Sequence, residues 1–116
     1  MPKVFDQLLF PRLLNLVNVT GSRSLGTSFS NVGNNILFVY AVVRLTAVAA
    51  TDLGQVGWQQ PFGTTLYTPR VTGVAGESAD MPIWGFTPEG TSYGIVNSST
   101  GTGTAVLQTW FEIQLV

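Results

Sequence analysis

The sequence predicts an all-β fold: an antiparallel β-sandwich, jelly-roll-like, with a short apolar N-terminal arm. Three observations predict it. From residue 20 onward Gly, Thr, Ser and Asn punctuate the chain at short intervals, and β-branched and aromatic residues fill the gaps, the composition of short strands joined by tight turns. Residues 105–115 alternate with a period of two, and residues 36–50 form one long apolar stretch. Helical spacing is confined to Val4–Phe10, where Pro11 ends it.

The elements follow in order. Residues 1–12 are an arm with room for a single helical turn, and residues 13–19 a first strand. The organisation is therefore an arm and first strand over 1–18 and a sandwich domain over 19–116. Residues 20–34 are turn-rich, with Thr27 to Asn31 extended, and 36–50 are one strand. Gly54, Gly57, Pro61 and Gly63 mark 51–63 as a loop around Trp58. Residues 64–74 hold a strand that Pro69 kinks or confines to an edge, and 75–81 are a loop. Strands at 82–87 and 91–97 flank Thr87-Pro88-Glu89-Gly90, whose Pro and Gly suit a type I turn. A Ser/Thr/Gly loop over 98–104 leads to the last strand, 105–115.

Composition removes whole classes of function. The 116 residues contain no Cys and no His, which excludes the common zinc, haem and iron–sulfur sites and Ser-His or Cys-His nucleophiles. No cofactor and no metal are expected. The cations Lys3, Arg12, Arg23, Arg44 and Arg70 are scattered and the net charge is −1, so no basic patch exists for nucleic acid. The longest apolar stretch carries Arg44 and is shorter than the about 20 residues of a membrane-spanning helix, so no membrane insertion is expected. Glu77 and Asp80 form the closest acidic pair, but nothing around them sets two carboxylates apart for acid–base work, and the chain reads as a non-enzyme.

Charge is scarce: 9% of residues are charged and 45% are hydrophobic, against roughly a quarter to a third charged on an ordinary soluble surface. Part of the exterior is then expected to lie against partners. The strand 36–50 says where. Its odd positions, Leu37, Val39, Ala41, Val43 and Leu45, are apolar throughout. Its even positions begin Ile36, Phe38, Tyr40 and Val42 before turning polar at Arg44. A two-layer sandwich buries one face of each sheet. The face of Phe38, Tyr40 and Val42 must meet either a neighbouring subunit or the arm, through Phe5, Leu8, Leu9 and Phe10. In 105–115 the odd positions read as the core face and the even positions, including Trp110 and Glu112, as the wetter one.

Two further sets are singled out. Arg23, between Ser22 and Ser24, carries a planar fork suited to tying strands or subunits, with Glu112 as its acidic partner. Trp58, followed by Gln59 and Gln60, is a candidate glycan contact: an apolar ring face beside amides able to bind hydroxyls.

Three segments taken together resemble a known pattern. They are Val19-Thr20-Gly21-Ser22-Arg23 with Gly26-Thr27-Ser28-Phe29-Ser30-Asn31, then Met81-Pro82-Ile83-Trp84-Gly85-Phe86-Thr87-Pro88-Glu89-Gly90-Thr91-Ser92-Tyr93, then Leu107-Gln108-Thr109-Trp110-Phe111-Glu112-Ile113. In order and spacing they resemble the small β-sandwich domain at the ends of many tailed-bacteriophage tail-fibre and other virion proteins. Thr87-Pro88-Glu89-Gly90 stands where Val-Pro-Pro-Gly is usual, and Phe29 where Tyr is common. The resemblance implies a non-enzymatic virion component, homotrimeric, assembled in the cytoplasm of a host bacterium. A small chain with its own Met1 and an apolar arm is expected to be a capsid decoration or cement protein contacting the major capsid protein. The alternative is a tail-fibre or tail-tip module recognising host-surface glycans.

Overall fold

A computed structural model describes residues 16–67, 70–72 and 74–115. Among these, nine strands account for nearly all regular structure: β1 (Leu16–Asn18), β2 (Phe29–Ser30), β3 (Leu37–Thr46), β4 (Leu53–Gln59), β5 (Thr65–Tyr67), β6 (Arg70–Thr72), β7 (Ser78–Thr87), β8 (Ser92–Asn97) and β9 (Thr104–Gln114), with one 3₁₀ turn at Thr20–Ser22. Every ladder is antiparallel. No helix among the described residues is long and apolar enough to cross a membrane.

The strands form two sheets. The first runs β1-β9-β3-β7 and the second β2-β8-β4-β5, with β6 also on β4. Because β5 meets the C-terminal half of β4 and β6 its N-terminal half, the two act as one interrupted strand. Counting them so leaves eight strands that nest from the ends inward: first with last, second with seventh, third with sixth, fourth with fifth. That is the double Greek-key order of a jelly roll. The predicted sandwich is the observed fold.

The core lies between the sheets. β3 contributes Leu37, Val39, Ala41, Val43 and Leu45, β4 contributes Val56 and Trp58, and Ile83, Tyr93, Ile95 and Trp110 complete it. Burial along β3 alternates without a break from Leu37 to Val43, so its odd face is the inner one, as its pattern predicts.

Two expectations about elements are corrected. Residues 53–59 are a strand in the middle of the second sheet, between β8 and β5/β6, and not part of a loop. Gly57 suits a crowded ladder position: a Cβ there would press on the Thr65 and Val96 methyl groups at 3.1 Å. Glycine was thus a packing residue where it reads as turn punctuation. Likewise β7 begins at Ser78, inside the expected loop 75–81 and paired with Thr46.

The third correction concerns β9. Its register with β3 shifts between Val42 and Val43, where Thr109 and Leu107 are the successive partners, leaving Gln108 as an extra residue. This β-bulge reverses the alternation. Ala105 and Leu107 pack toward the core, but beyond the bulge it is Trp110 and Glu112 that are buried. Phe111 and Ile113, expected inside, pair with Tyr40 and Phe38 and share their outward face.

Candidate functional site

The three segments that carry the family resemblance converge on one buried cluster. Trp110 and Glu112 lie two apart on β9 and so point to the same side. The Glu112 carboxylate is 8% exposed and accepts four hydrogen bonds: from Arg23 Nη2 at 2.9 Å, Arg23 Nε at 3.2 Å, Tyr93 Oη at 2.5 Å and Trp110 Nε1 at 2.9 Å. Arg23 also stacks over Phe29, 4.5 Å from the ring centroid. Phe29 meets Trp110 edge-on at 5.7 Å, and Tyr93 lies flat against Trp58 at 6.0 Å.

Arg23 and Glu112, paired from sequence, thus meet as a salt bridge inside one chain, joining β9 of the first sheet to Tyr93 of the second. Burial, and then its bond to Glu112, holds the Tyr93 phenol far above its usual range. The side-chain polar groups of Arg23, Tyr93, Trp110 and Glu112 are all engaged. The cluster fastens the two sheets and has no free group for chemistry on a ligand. Asn31, from the same motif, is similarly committed: 2% exposed, it donates to the carbonyls of Asn35 and Thr87 at 2.8 and 2.9 Å and accepts from Gly33 N–H.

Trp58 does not offer a glycan platform. It is 3% exposed, faces the core, and lies so close to β7 that a Cβ on Gly85 would run into its indole. Gln59 is occupied within its own loop, donating to Thr65 Oγ1 at 3.0 Å and accepting from Gly63 N–H at 3.0 Å. Gln60 is half-buried beside them. The glycan-contact expectation is therefore corrected at Trp58, the ring on which it depended, while Gln59 and Gln60 stay partly exposed: the pattern of a strand's inner face was read as that of an exposed loop.

A cleft at one end of the sandwich is lined by Leu45, Ala47, Asp52, Glu77 and Gly103 among others. Asp52 is already saturated. It accepts from the backbone N–H of Val48, Ala49 and Thr102, each at 2.9 Å, and these bonds hold its carboxyl below the usual range. Gly101, at φ +92, fits where a Cβ would collide with this carboxylate. No group of three or more His, Cys, Asp or Glu side chains is placed to hold a metal ion among the described residues.

What remains outward is the far side of the first sheet. Its register gives rows across four strands. One row is Leu16, Ile113, Phe38 and Phe86. The next is Asn18, Phe111, Tyr40 and Trp84. The third is Thr109, Val42 and Pro82. Below them the face turns polar, through Val106, Arg44 and Asp80 to Thr104, Thr46 and Ser78. Nine of the eleven side chains in the first three rows are apolar or aromatic. Leu16, Trp84 and Phe86 are 47%, 47% and 55% exposed, while Phe38, Tyr40 and Val42 are half-buried among their cross-strand neighbours. Phe38 and Phe86 pack at 5.0 Å between centroids. Arg44 and Asp80 close the apolar zone with a two-armed pair at 2.8 and 3.2 Å.

Phe38, Tyr40 and Val42 are therefore where the sequence pattern placed them, on the outer face of the first sheet. Phe111 and Ile113 were missed because only the bulge turns them outward. Trp84 and Phe86 were legible, since Pro82, Trp84 and Phe86 alternate with Ile83, Gly85 and Thr87. The expected arm contacts Phe5, Leu8, Leu9 and Phe10 lie outside the described residues. Comparisons with protein-family models, with curated proteins and with solved structures find no match to this chain.

Proposed function

We propose that the chain is a non-enzymatic structural component of a bacteriophage virion, a capsid decoration or cement protein that works by burying apolar surface against neighbours. The observation that carries this reading is the outer face of the first sheet. An apolar zone of three rows, in a chain with only 11 charged residues, is a contiguous patch of the kind that on soluble proteins commonly serves as an interaction surface. The resemblance of three segments to virion sandwich domains supplies the setting, and the jelly roll is a fold that shell-forming proteins use among others. The contacts are assigned to Phe38, Tyr40 and Val42, extended by Phe86, Phe111 and Ile113. The partners are other copies of the chain and the major capsid protein. Because these contacts are apolar, the bound state should resist salt that would strip an ionically held protein.

The test is the copy number of the chain in purified virions, read from a stained gel. Hundreds of copies per particle are expected. A few to tens would move the protein to collar, tail or fibre, and absence from particles would overturn the reading. Deleting residues 1–12 is expected to lower particle occupancy while leaving the sandwich folded. Unchanged occupancy would remove the arm from the contact.

A further inference from the structure

We infer that the outer face of the first sheet is self-complementary and pairs two copies of this chain face to face across a twofold axis. The inference shares the outward reading of this face with the proposed function but does not need a particle.

Symmetry gives the first argument. A twofold interface uses the same patch on both subunits, whereas a ring of three needs two different, matching patches on each. Among the described residues the two sheets differ sharply in what they turn outward. The first presents the rows built on Phe38, Tyr40 and Val42. Along β8 and β4 of the second, the positions facing away from the core are Ser92, Gly94 and Val96, and Gln55, Gly57 and Gln59; both glycines are buried, Gly94 beneath the Phe62 ring and Gly57 against Thr65 and Val96. Apolar rows on one sheet, set against mostly small or polar positions on the other, favour isologous pairing.

The edges give the second argument. β7 is the long edge of the first sheet, but Pro82 stands in its middle and removes a donor from any added strand. Extension of the sheet is hindered along this edge, which leaves the face as the broader surface for pairing.

Size and charge agree. Four strands about 4.8 Å apart and three rows about 6.8 Å apart make a zone on the order of 400 Å² in projection, and side-chain relief exposes more than that. Two copies then remove about 800 Å² in projection, about two thirds of the roughly 1,200 Å² of accessible surface at which specific interfaces begin, and the relief of the rings adds to it. The charged side chains at the margin, Arg44 and Asp80, are already bonded to each other, so a mate covers no lone charge.

The experiment uses the full chain, which has no Cys of its own. Sedimentation equilibrium at micromolar concentration should return twice the 12.4 kDa of one chain. Single substitutions Tyr40→Cys and Phe111→Cys, which place a thiol in the middle row on the two inner strands, should each give a disulfide-linked dimer on mild oxidation, because residues near a twofold axis meet their own copies. Tyr40→Glu should return the chain to single mass with its circular dichroism unchanged. If that variant misfolds, the two Cys substitutions still decide the matter. A monomeric chain, or a trimer in which neither thiol self-links, overturns the inference. Either result leaves the virion reading standing if the chain is found on particles, and a dimer absent from particles would sink that reading alone.

Discussion

The molecule holds two aromatic clusters built from the same residue types, one on each side of the first sheet. Inside, Trp110, Tyr93, Phe29 and Trp58 gather around a carboxylate that satisfies each polar handle within reach. Outside, Phe38, Tyr40, Phe86 and Phe111 line an open face whose charged pair lies at the margin. The difference teaches what each set is for. A cluster closed on itself by hydrogen bonds fastens one chain. A cluster with no buried acceptor of its own is finished only by another surface. Damage to the first should cost stability, and damage to the second should cost assembly.

The largest effect is expected at the inner carboxylate. Glu112→Ala leaves the Arg23 guanidinium, the Tyr93 hydroxyl and the Trp110 N–H facing a void. Breaking a largely buried ion pair from one side costs about 3–5 kcal/mol, which denaturant titration would read as a shifted midpoint. A loss under about 1 kcal/mol would mean that the cluster is decoration and that the contrast with the outer face is false. Gly85→Ala comes next. The added methyl group runs into the Trp58 indole, and overpacking of that kind costs about 1–3 kcal/mol.

The outer face should behave in the opposite way. Phe86→Ser, at a position 55% exposed, is expected to shift the stability of the dilute single chain by no more than about 0.5 kcal/mol. The same variant should weaken self-association measured by sedimentation. Equal losses in both would erase the distinction between the two clusters.

How much of this was legible in the sequence depends on which rule each residue obeyed. The inner face of β3 follows simple alternation, so its core side and the outward Phe38, Tyr40 and Val42 could be read directly. Glu112 was named as the acid that Arg23 could meet, but nothing in the sequence brings residues so far apart together; that contact is made by the fold. Two devices hid the rest. Gly57 sits in a strand for close packing, and reading it as a turn residue put Trp58 on the surface instead of in the core. The extra residue Gln108 has no signature of its own in the sequence. Past it every side chain of β9 changes sides, which hid both the burial of Trp110 and the outward turn of Phe111.

The smallest effects are in pH, and they separate interior from surface once more. The Tyr93 phenol is held above its ordinary value, first by burial and then by its bond to Glu112. A raised pKa stabilises the neutral form, so this contribution is complete below the ordinary phenol value near 10 and is lost only as pH climbs toward the folded-state value. Absorbance titration should therefore find one phenol that stays protonated until the chain unfolds, missing in Tyr93→Phe. Asp52 carries the reverse sign. Its pKa is lowered by the backbone N–H groups of Ala49, Thr102 and Val48, so its contribution is present above the ordinary carboxylate value and fades as pH falls through the lower one. Asp52→Asn should lower the melting temperature at pH 7, and the gap from the parent chain should narrow as the medium is taken below pH 4, near the ordinary carboxylate value. A gap that stayed constant over that range would show that the loop is held by the shape of the side chain and not by its charge.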